Sequence, residues 1–348
     1  MRFLHLADLH LTNNFPYGSI RPSTGLNKRF EEQLKVLKEI FTYAVKHKIK
    51  YVLIAGDIFH NSNPTSRVRS SFASVLKKFP DLKIVAISGN HDTCGTWHSL
   101  QDYAEFGLEN FTFIYNICRI QLTDDTSIIC VPWGCHVATA RRYKNKKAKF
   151  NILLTHQSVL GAEFDNEYFS PEGPNVEFIE QLGFDYVALG HFHKMQRLTD
   201  RVWYSGSIYP RDFKEIEQPK YFLDVSLYKN GNIQVTPVMC KDIMFRYVYS
   251  TDDIDIEDVQ GKYIKWIGRK DEFTPEVETL LSNAEYYFVN FVQDSNKAKK
   301  EYELDTDLFT VNRAIETYVE ENVEEKYKNE VLKEALDLYE QMKTTERV

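Results

Sequence analysis

Short apolar runs alternate with longer stretches of helical period through roughly the first two hundred residues. "RFLHLAD" (2–8) reads as a strand. Residues 28–46 follow with Phe30, Leu34, Leu37, Phe41 and Ala44 on one helical face. "YVLIAGD" (51–57) predicts a second strand, 65–79 a helix, and "LKIVAISG" (82–89) a third strand. Further strands are expected at "SIICVPW" (127–133), "FNILLTH" (150–156) and "FDYVALGH" (184–191). "YFLDVSLYKNGNIQVTPV" (221–238) reads as a hairpin turning on Asn230-Gly231, a dipeptide that accepts positive φ. The alternation points to an α/β domain with one or two central sheets.

The pattern changes near residue 240. Strand-like "FRYVYS", strand-like "KYIKWIG", a helix at 276–284 and strand-like "YYFVNFV" suggest a small α+β unit. A polar stretch, "DSNKAKKEYELDT" (294–306), reads as a linker. Beyond it, Phe309, Ala314, Ile315, Tyr318 and Val319, then Val331, Leu332, Ala335, Leu336 and Tyr339, predict one or two amphipathic helices. The expected divisions are therefore 1–239, 240–293, 294–306 and 307–348.

Charge follows the same division. Residues 1–240 carry 28 Lys+Arg against 24 Asp+Glu, while residues 241–348 carry 15 against 26. The acidic balance belongs to the C-terminal third, so a polyanionic substrate is not excluded from the rest. No apolar run reaches the ~18–20 residues of a membrane helix. The opening residues are read as a strand, not an export signal. The five cysteines are scattered without a C-x-x-C pair, which fits reduced thiols in a cytoplasmic protein.

The residues just after each apolar run change the picture most. The first run ends in Asp8-Leu9-His10, the second in Gly56-Asp57-Ile58-Phe59-His60, the third in Gly89-Asn90-His91-Asp92. Later runs end in Thr155-His156 and in Gly190-His191-Phe192-His193. Ligands in open α/β sheets gather beyond the carboxyl ends of strands. Asp, Asn and His together make an oxygen and nitrogen donor set suited to Mn, Fe or Zn. Seven such donors are too many for one ion and natural for two, the arrangement used for displacement at phosphorus. Any one of these pieces alone is more often a turn or a satisfied polar pair; five in order behind apolar runs are not.

The order D-x-H, G-D, G-N-H-D, H, G-H-x-H resembles the calcineurin-like metallophosphoesterase superfamily, across roughly residues 1–210. The chain lacks the Asp-Arg-Gly that protein phosphatases carry after G-D. "LADLH", "GDIFH", "SGNHD" and "YSGSIYPRDF" (204–213) are similar to the SbcD-type DNA double-strand-break repair nucleases, most of all to phage recombination nuclease subunits. The resemblance implies a sandwich of two central sheets flanked by helices, with a small α+β capping domain and C-terminal helices. It implies one ion on Asp8, His10 and His193, a second on Asn90, His156 and His191, and Asp57 bridging both, with Mn²⁺ the expected metal. It implies that His91 faces the scissile phosphate, with Asp92 as the candidate to fix its tautomer and His60 in support.

The implied activity is a 3′-to-5′ double-strand exonuclease and single-strand endonuclease, in DNA recombination, repair or replication. The implied partners are DNA, a coiled-coil SMC-like ATPase held by the C-terminal helices, and a second copy of the chain. A phosphoesterase acting on nucleotides or other phosphodiesters, and a non-catalytic DNA-end adaptor, are the alternatives. Candidate DNA contacts are Arg67 and Arg69 after the second motif, and Arg141, Arg142, Lys144, Lys146 and Lys147 in "RRYKNKKAK" (141–149). That run equally suits a solvated helix face. Tyr17 and Arg21 lie in the loop after the first motif.

Overall fold

The computed structural model describes residues 1–15, 18–103, 107–165, 168–215, 218–240, 245–293, 327–328 and 331–333. Tyr17, the 294–306 linker and most of the 307–348 segment lie outside them.

The first sheet holds β1 (Arg2–Leu6), β2 (Tyr51–Ile54), β3 (Lys83–Ile87) and β4 (Phe111–Ile114), all parallel. The second holds β5 (Cys118–Thr123), β6 (Thr126–Val131), β7 (Phe150–His156), β8 (Tyr186–Gly190), β9 (Gln196–Arg197) and β10 (Val202–Tyr204), in the order β9-β10-β8-β7-β6-β5. β11 (Tyr221–Leu227) returns to pair antiparallel with β1, and β12 (Ile233–Met239) completes the hairpin on the outer edge.

Both faces of β1, β2, β3, β6, β7 and β8 are covered, which is why these runs read as continuously apolar. Phe3, Leu53, Val85, Ile128, Ile152, Tyr186, Ala188 and Leu223 fill the space between the two sheets. The outer face of the first sheet packs on α1 (Lys28–Lys46) and α2 (Ser66–Leu76). α1 buries the expected stripe and also Arg29 and Gln33, two polar residues inside an apolar face. The outer face of the second sheet packs with Ile179 and Leu182, in and just after α3 (Val176–Gln181). The result is a two-sheet sandwich flanked by helices.

The expected α+β unit is a three-stranded parallel sheet of β13 (Phe245–Tyr249), β14 (Tyr263–Gly268) and β15 (Tyr286–Phe291). Parallel pairing requires crossovers, and the connections each contain a helix, Ile256–Val259 and α4 (Pro275–Leu281). Trp266, Val248, Ile264 and Leu281 form its small core.

This sheet docks on α1 through an aromatic and polar clamp. The Arg29 guanidinium lies over the rings of Phe15, Tyr209, Phe245 and Tyr263 at 4.1–5.6 Å and donates to the Pro210 and Arg211 carbonyls. The hydroxyls of Tyr209 and Tyr263 both donate to Oε2 of Glu32, at 2.8 and 3.0 Å. No described helix is long and apolar enough to cross a membrane.

Candidate metal centre

The candidate ligands leave the carboxyl ends of β1, β2, β3, β7 and β8, and four of them do so with unusual backbone. Asp8, His10, Asp57 and His191 have φ of 53°, 44°, 52° and 111°. Such conformations cost roughly 1–3 kcal/mol each and persist only where the surroundings over-determine them. Here the loops after β1 and β2 zip together. Asp8 N–H bonds the Gly56 carbonyl at 3.1 Å, and His10 N–H the Asp57 carbonyl at 2.9 Å. The Asp8 carboxylate in turn accepts the His191 N–H at 3.1 Å. The third motif presses against the second: a Cβ on Gly89 would lie 2.0 Å from Asp57 Oδ1, so only glycine fits.

Asp57 sits at the middle of the cluster. Its Oδ2 lies 3.5 Å from His10 Nε2 and 3.6 Å from His156 Nε2, while its Oδ1 accepts the His91 N–H at 2.9 Å. On one side, His10 Nε2 is 3.0 Å from His193 Nε2, and donor atoms of Asp8, His10 and His193 lie within 4.8 Å of one another. On the other side, Asn90 Oδ1 is 2.9 Å from His156 Nε2 and 3.1 Å from His191 Nδ1. All seven candidate ligands therefore converge in two groups about one carboxylate.

Electrostatics make this set ready for cations. Burial lowers the pKa of His10, with His193 adding to the effect, and takes His156 and His191 down to about 3. Such shifts favour the neutral form of these three imidazoles, which offers lone pairs. Burial and the neighbouring Asp57 raise Asp8 well above the ordinary carboxylate value; burial raises Asp57 to about 6, against the pull of His91. Two buried carboxylates this close repel, and divalent ions relieve that repulsion. His10 Nδ1 is also buried without a partner. The donor set fits two divalent ions, with oxygen and nitrogen on each.

The outer nitrogens of two of the candidate ligand histidines are held as metal ligands require. His156 Nδ1 donates to the Ala55 carbonyl at 2.7 Å. His193 Nδ1 lies 2.7 Å from Glu215 Oε1. Glu215, 9% exposed, also accepts from Lys220 at 2.6 Å and from the Arg211 N–H at 3.1 Å. Burial raises its pKa, but the Lys220 ammonium and the His193 contact outweigh that and hold it below the ordinary value.

His91 is half-buried beside the cluster, its ring 4.7 Å from that of His10. Its Nδ1 faces the His60 carbonyl at 2.8 Å, not Asp92. The expectation for Asp92 is corrected accordingly. Its carboxylate turns under the loop and accepts the N–H groups of Ile58, Phe59 and Gly89 and the Ser99 hydroxyl. It ties the second motif to the third. The His60 ring stacks on His91 at 5.5 Å, and the Arg211 guanidinium lies 3.4 Å from His60 Nδ1.

The basic candidates divide. Arg67 donates to the Thr24 carbonyl, Arg69 pairs with Asp102, Arg21 pairs with Glu31, and Lys144 donates to the Gly183 carbonyl. Arg141, Arg142, Lys146 and Lys147 are exposed. The 3₁₀ helix Val137–Tyr143 covers only the start of the basic run.

Three residues at the site escaped sequence reasoning: Glu215, Arg211 and Trp133. The first two lie in or just after the 204–213 segment that carried the family likeness, but no spacing rule pairs Glu215 with His193. Trp133 read as the end of a strand; its ring lies 5.2 Å from His191.

The family model for calcineurin-like phosphoesterases matches residues 1–195. The chain belongs to this family. Among curated relatives of this phosphoesterase is the "Uncharacterized metallophosphoesterase YhaO" of Bacillus subtilis, 25% identical, covering 72% of the chain and 67% of the relative. The SbcD component of the SbcCD nuclease of Escherichia coli is 23% identical, covering 67% and 66%. The "DNA double-strand break repair protein Mre11" of Archaeoglobus fulgidus is 24% identical, covering 81% and 69%. The chain thus spans about two thirds of the length of these relatives.

Proposed function

We propose that this phosphoesterase is a dinuclear-metal DNA nuclease subunit, a 3′-to-5′ double-strand exonuclease and single-strand endonuclease. The observation that carries the reading is Asp57 Oδ2, set 3.5 Å from His10 and 3.6 Å from His156, with a ligand group on each side. The substrate class is supported by the likeness to the SbcCD and Mre11 proteins.

Two divalent ions, manganese in this reading, supply charge to the reacting phosphodiester and lower the pKa of water. Asp8, His10 and His193 hold one, Asn90, His156 and His191 the other, and Asp57 both. His91 then meets the substrate. With Nδ1 donating to the His60 carbonyl, Nε2 is the nitrogen left to steady the phosphate or protonate the leaving oxygen. His60 and Arg211 add donors beside it. Residues 240–293 form the cap that orients DNA, and the exposed Arg141, Arg142, Lys146 and Lys147 meet its backbone. Residues 307–348 bind an SMC-like coiled-coil ATPase, and the nuclease works as a homodimer.

The test is incubation with Mn²⁺ and end-labelled duplex DNA beside His91→Ala. The wild type is expected to release nucleotides, and the variant to be slower by about 10²–10⁴-fold. Turnover of small phosphodiesters without DNA cleavage would instead favour a nucleotide-directed phosphoesterase. Metal binding with no hydrolysis would favour a DNA-end adaptor.

A further inference from the structure

β6 ends at Val131, and Pro132 carries the chain out of the sheet beside the metal centre. Trp133 follows, 36% exposed, its own N–H fixed to the Ser88 carbonyl at 3.0 Å. Its indole lies against two candidate ligands, 5.2 Å from the His191 ring at 31° and 6.0 Å from the His156 ring at 77°. A large aromatic ring left partly open beside metal ligands offers a stacking surface next to the reacting phosphate.

A cavity of about 510 Å³ opens beside the residues that follow Trp133 in the chain. Its wall starts at Gly134, the residue after Trp133, and includes Gln157, the residue after His156. Cys135, His136, Pro174 and Phe178 complete the part that matters. That volume lies within the ordinary range for small-molecule sites. Among the described residues the lining carries no carboxylate, lysine or arginine, so it suits a neutral ring rather than a second phosphate. Gln157 supplies an amide whose Nε2 is buried without a hydrogen-bond partner. An amide can match the donors and acceptors along the edge of a heterocycle, and the flat Pro174 and Phe178 side chains can meet its faces.

We propose that Trp133 and this cavity form a subsite for the nucleobase attached next to the reacting phosphate. The inference rests on the phosphodiesterase reading above and narrows it: the substrate is a nucleic acid or nucleotide ester, recognised through an unstacked base. Stacking on an indole tolerates any base, so the subsite reads the presence of a base and not its sequence.

Two esters with one leaving group test it: thymidine 5′-(4-nitrophenyl phosphate) and methyl 4-nitrophenyl phosphate, each with Mn²⁺. The wild type is expected to prefer the thymidine ester in kcat/KM. Trp133→Ala is expected to lower that preference about tenfold, within the range for one lost base–aromatic stack. Phe178→Ala, across the cavity, is expected to lower it as well, and Trp133→Phe to keep most of it. Taking the ratio removes any general disturbance of His191. As a readout apart from turnover, thymidine 5′-monophosphate is expected to quench tryptophan fluorescence where deoxyribose 5-phosphate does not, and Trp133→Phe to abolish the quench. Both esters hydrolysed with an unchanged ratio in both alanine variants would overturn the subsite and leave the phosphodiesterase reading standing. Hydrolysis of neither ester by the wild type would overturn both.

Discussion

Glu32 grips the segment 209–215 at its start and Glu215 is its last residue, yet their surroundings drive them in opposite directions. Glu32 lies on α1 and is held by two neutral phenols, Tyr209 and Tyr263. Burial wins there and raises its pKa. Glu215 meets Lys220 and the His193 ring, and its pKa falls. The first carboxylate joins two pieces of backbone at a docking surface. The second fixes the orientation of a candidate metal ligand. Phe213 lies between them, edge-on to Phe245 and Phe288 of the small sheet at 5.0 and 5.3 Å. One short segment therefore ties the small sheet to the metal centre, with a charged pair at one end and a neutral clamp at the other.

The sharpest way to break this contrast is to delete each carboxylate. Glu215→Ala leaves the Lys220 ammonium, 7% exposed, without its counter-charge. Breaking a buried pair from one side costs about 3–5 kcal/mol, and chemical denaturation should show a loss of that size. Glu32→Ala removes acceptors from neutral groups and should cost less, about 1–3 kcal/mol. Equal losses would mean that the two sites are energetically alike and the contrast is wrong.

Next in size is metal affinity. Glu215→Gln keeps the shape but weakens the hold on His193 Nδ1. Loss of such an outer partner typically costs 10–100-fold in affinity, so Mn²⁺ titration by calorimetry or electron paramagnetic resonance should show a weaker site. Glu32→Gln should leave the titration unchanged. An unaltered Mn²⁺ affinity in Glu215→Gln would remove Glu215 from the metal centre's support.

Acid separates the pair as well. A carboxylate whose folded pKa is depressed contributes stability that is present above its unfolded value and lost as pH falls. Glu215 is such a group, so the wild type should lose stability below about pH 4.5, and Glu215→Gln should show a flatter acid limb in denaturation series at pH 3–6.

These two glutamates also show where sequence reading stops. The candidate ligand cluster was legible because its donors follow apolar strands, and parallel strands bring their carboxyl ends together without further information. Asp8, Asp57, Asn90, His156 and His191 needed no knowledge of distant pairing. Glu215 and His193 belong to different turns, and Glu32 and Tyr263 lie 231 positions apart. Arg29 reads as a surface position interrupting an apolar stripe, and becomes buried only because Phe15, Tyr209 and Phe245 enclose it. Asp92 failed for a related reason. Adjacency to His91 suggested a partner, but Asp92 is taken up by the Ile58, Phe59 and Gly89 N–H groups while His91 Nδ1 faces the His60 carbonyl.

The smallest expected effect tests the neutral clamp most directly. Both phenols reach the same oxygen of Glu32, so in Glu32→Gln the amide oxygen can replace it and keep both bonds. What Glu32→Gln removes is the charge. Because the folded pKa of Glu32 is raised above its ordinary 4.5, the native state binds the proton more tightly than the unfolded chain. Its ionisation therefore costs stability as pH rises above that value. Glu32→Gln should accordingly be as stable as the wild type at pH 8, or more so by up to about 1 kcal/mol. The difference should shrink toward pH 4, where the wild-type carboxyl carries its own proton. A variant less stable than the wild type at pH 8 by more than about that amount would mean that the charge itself is used, through Arg29. The clamp would then be ionic, and the two ends of the segment would differ in degree rather than in kind.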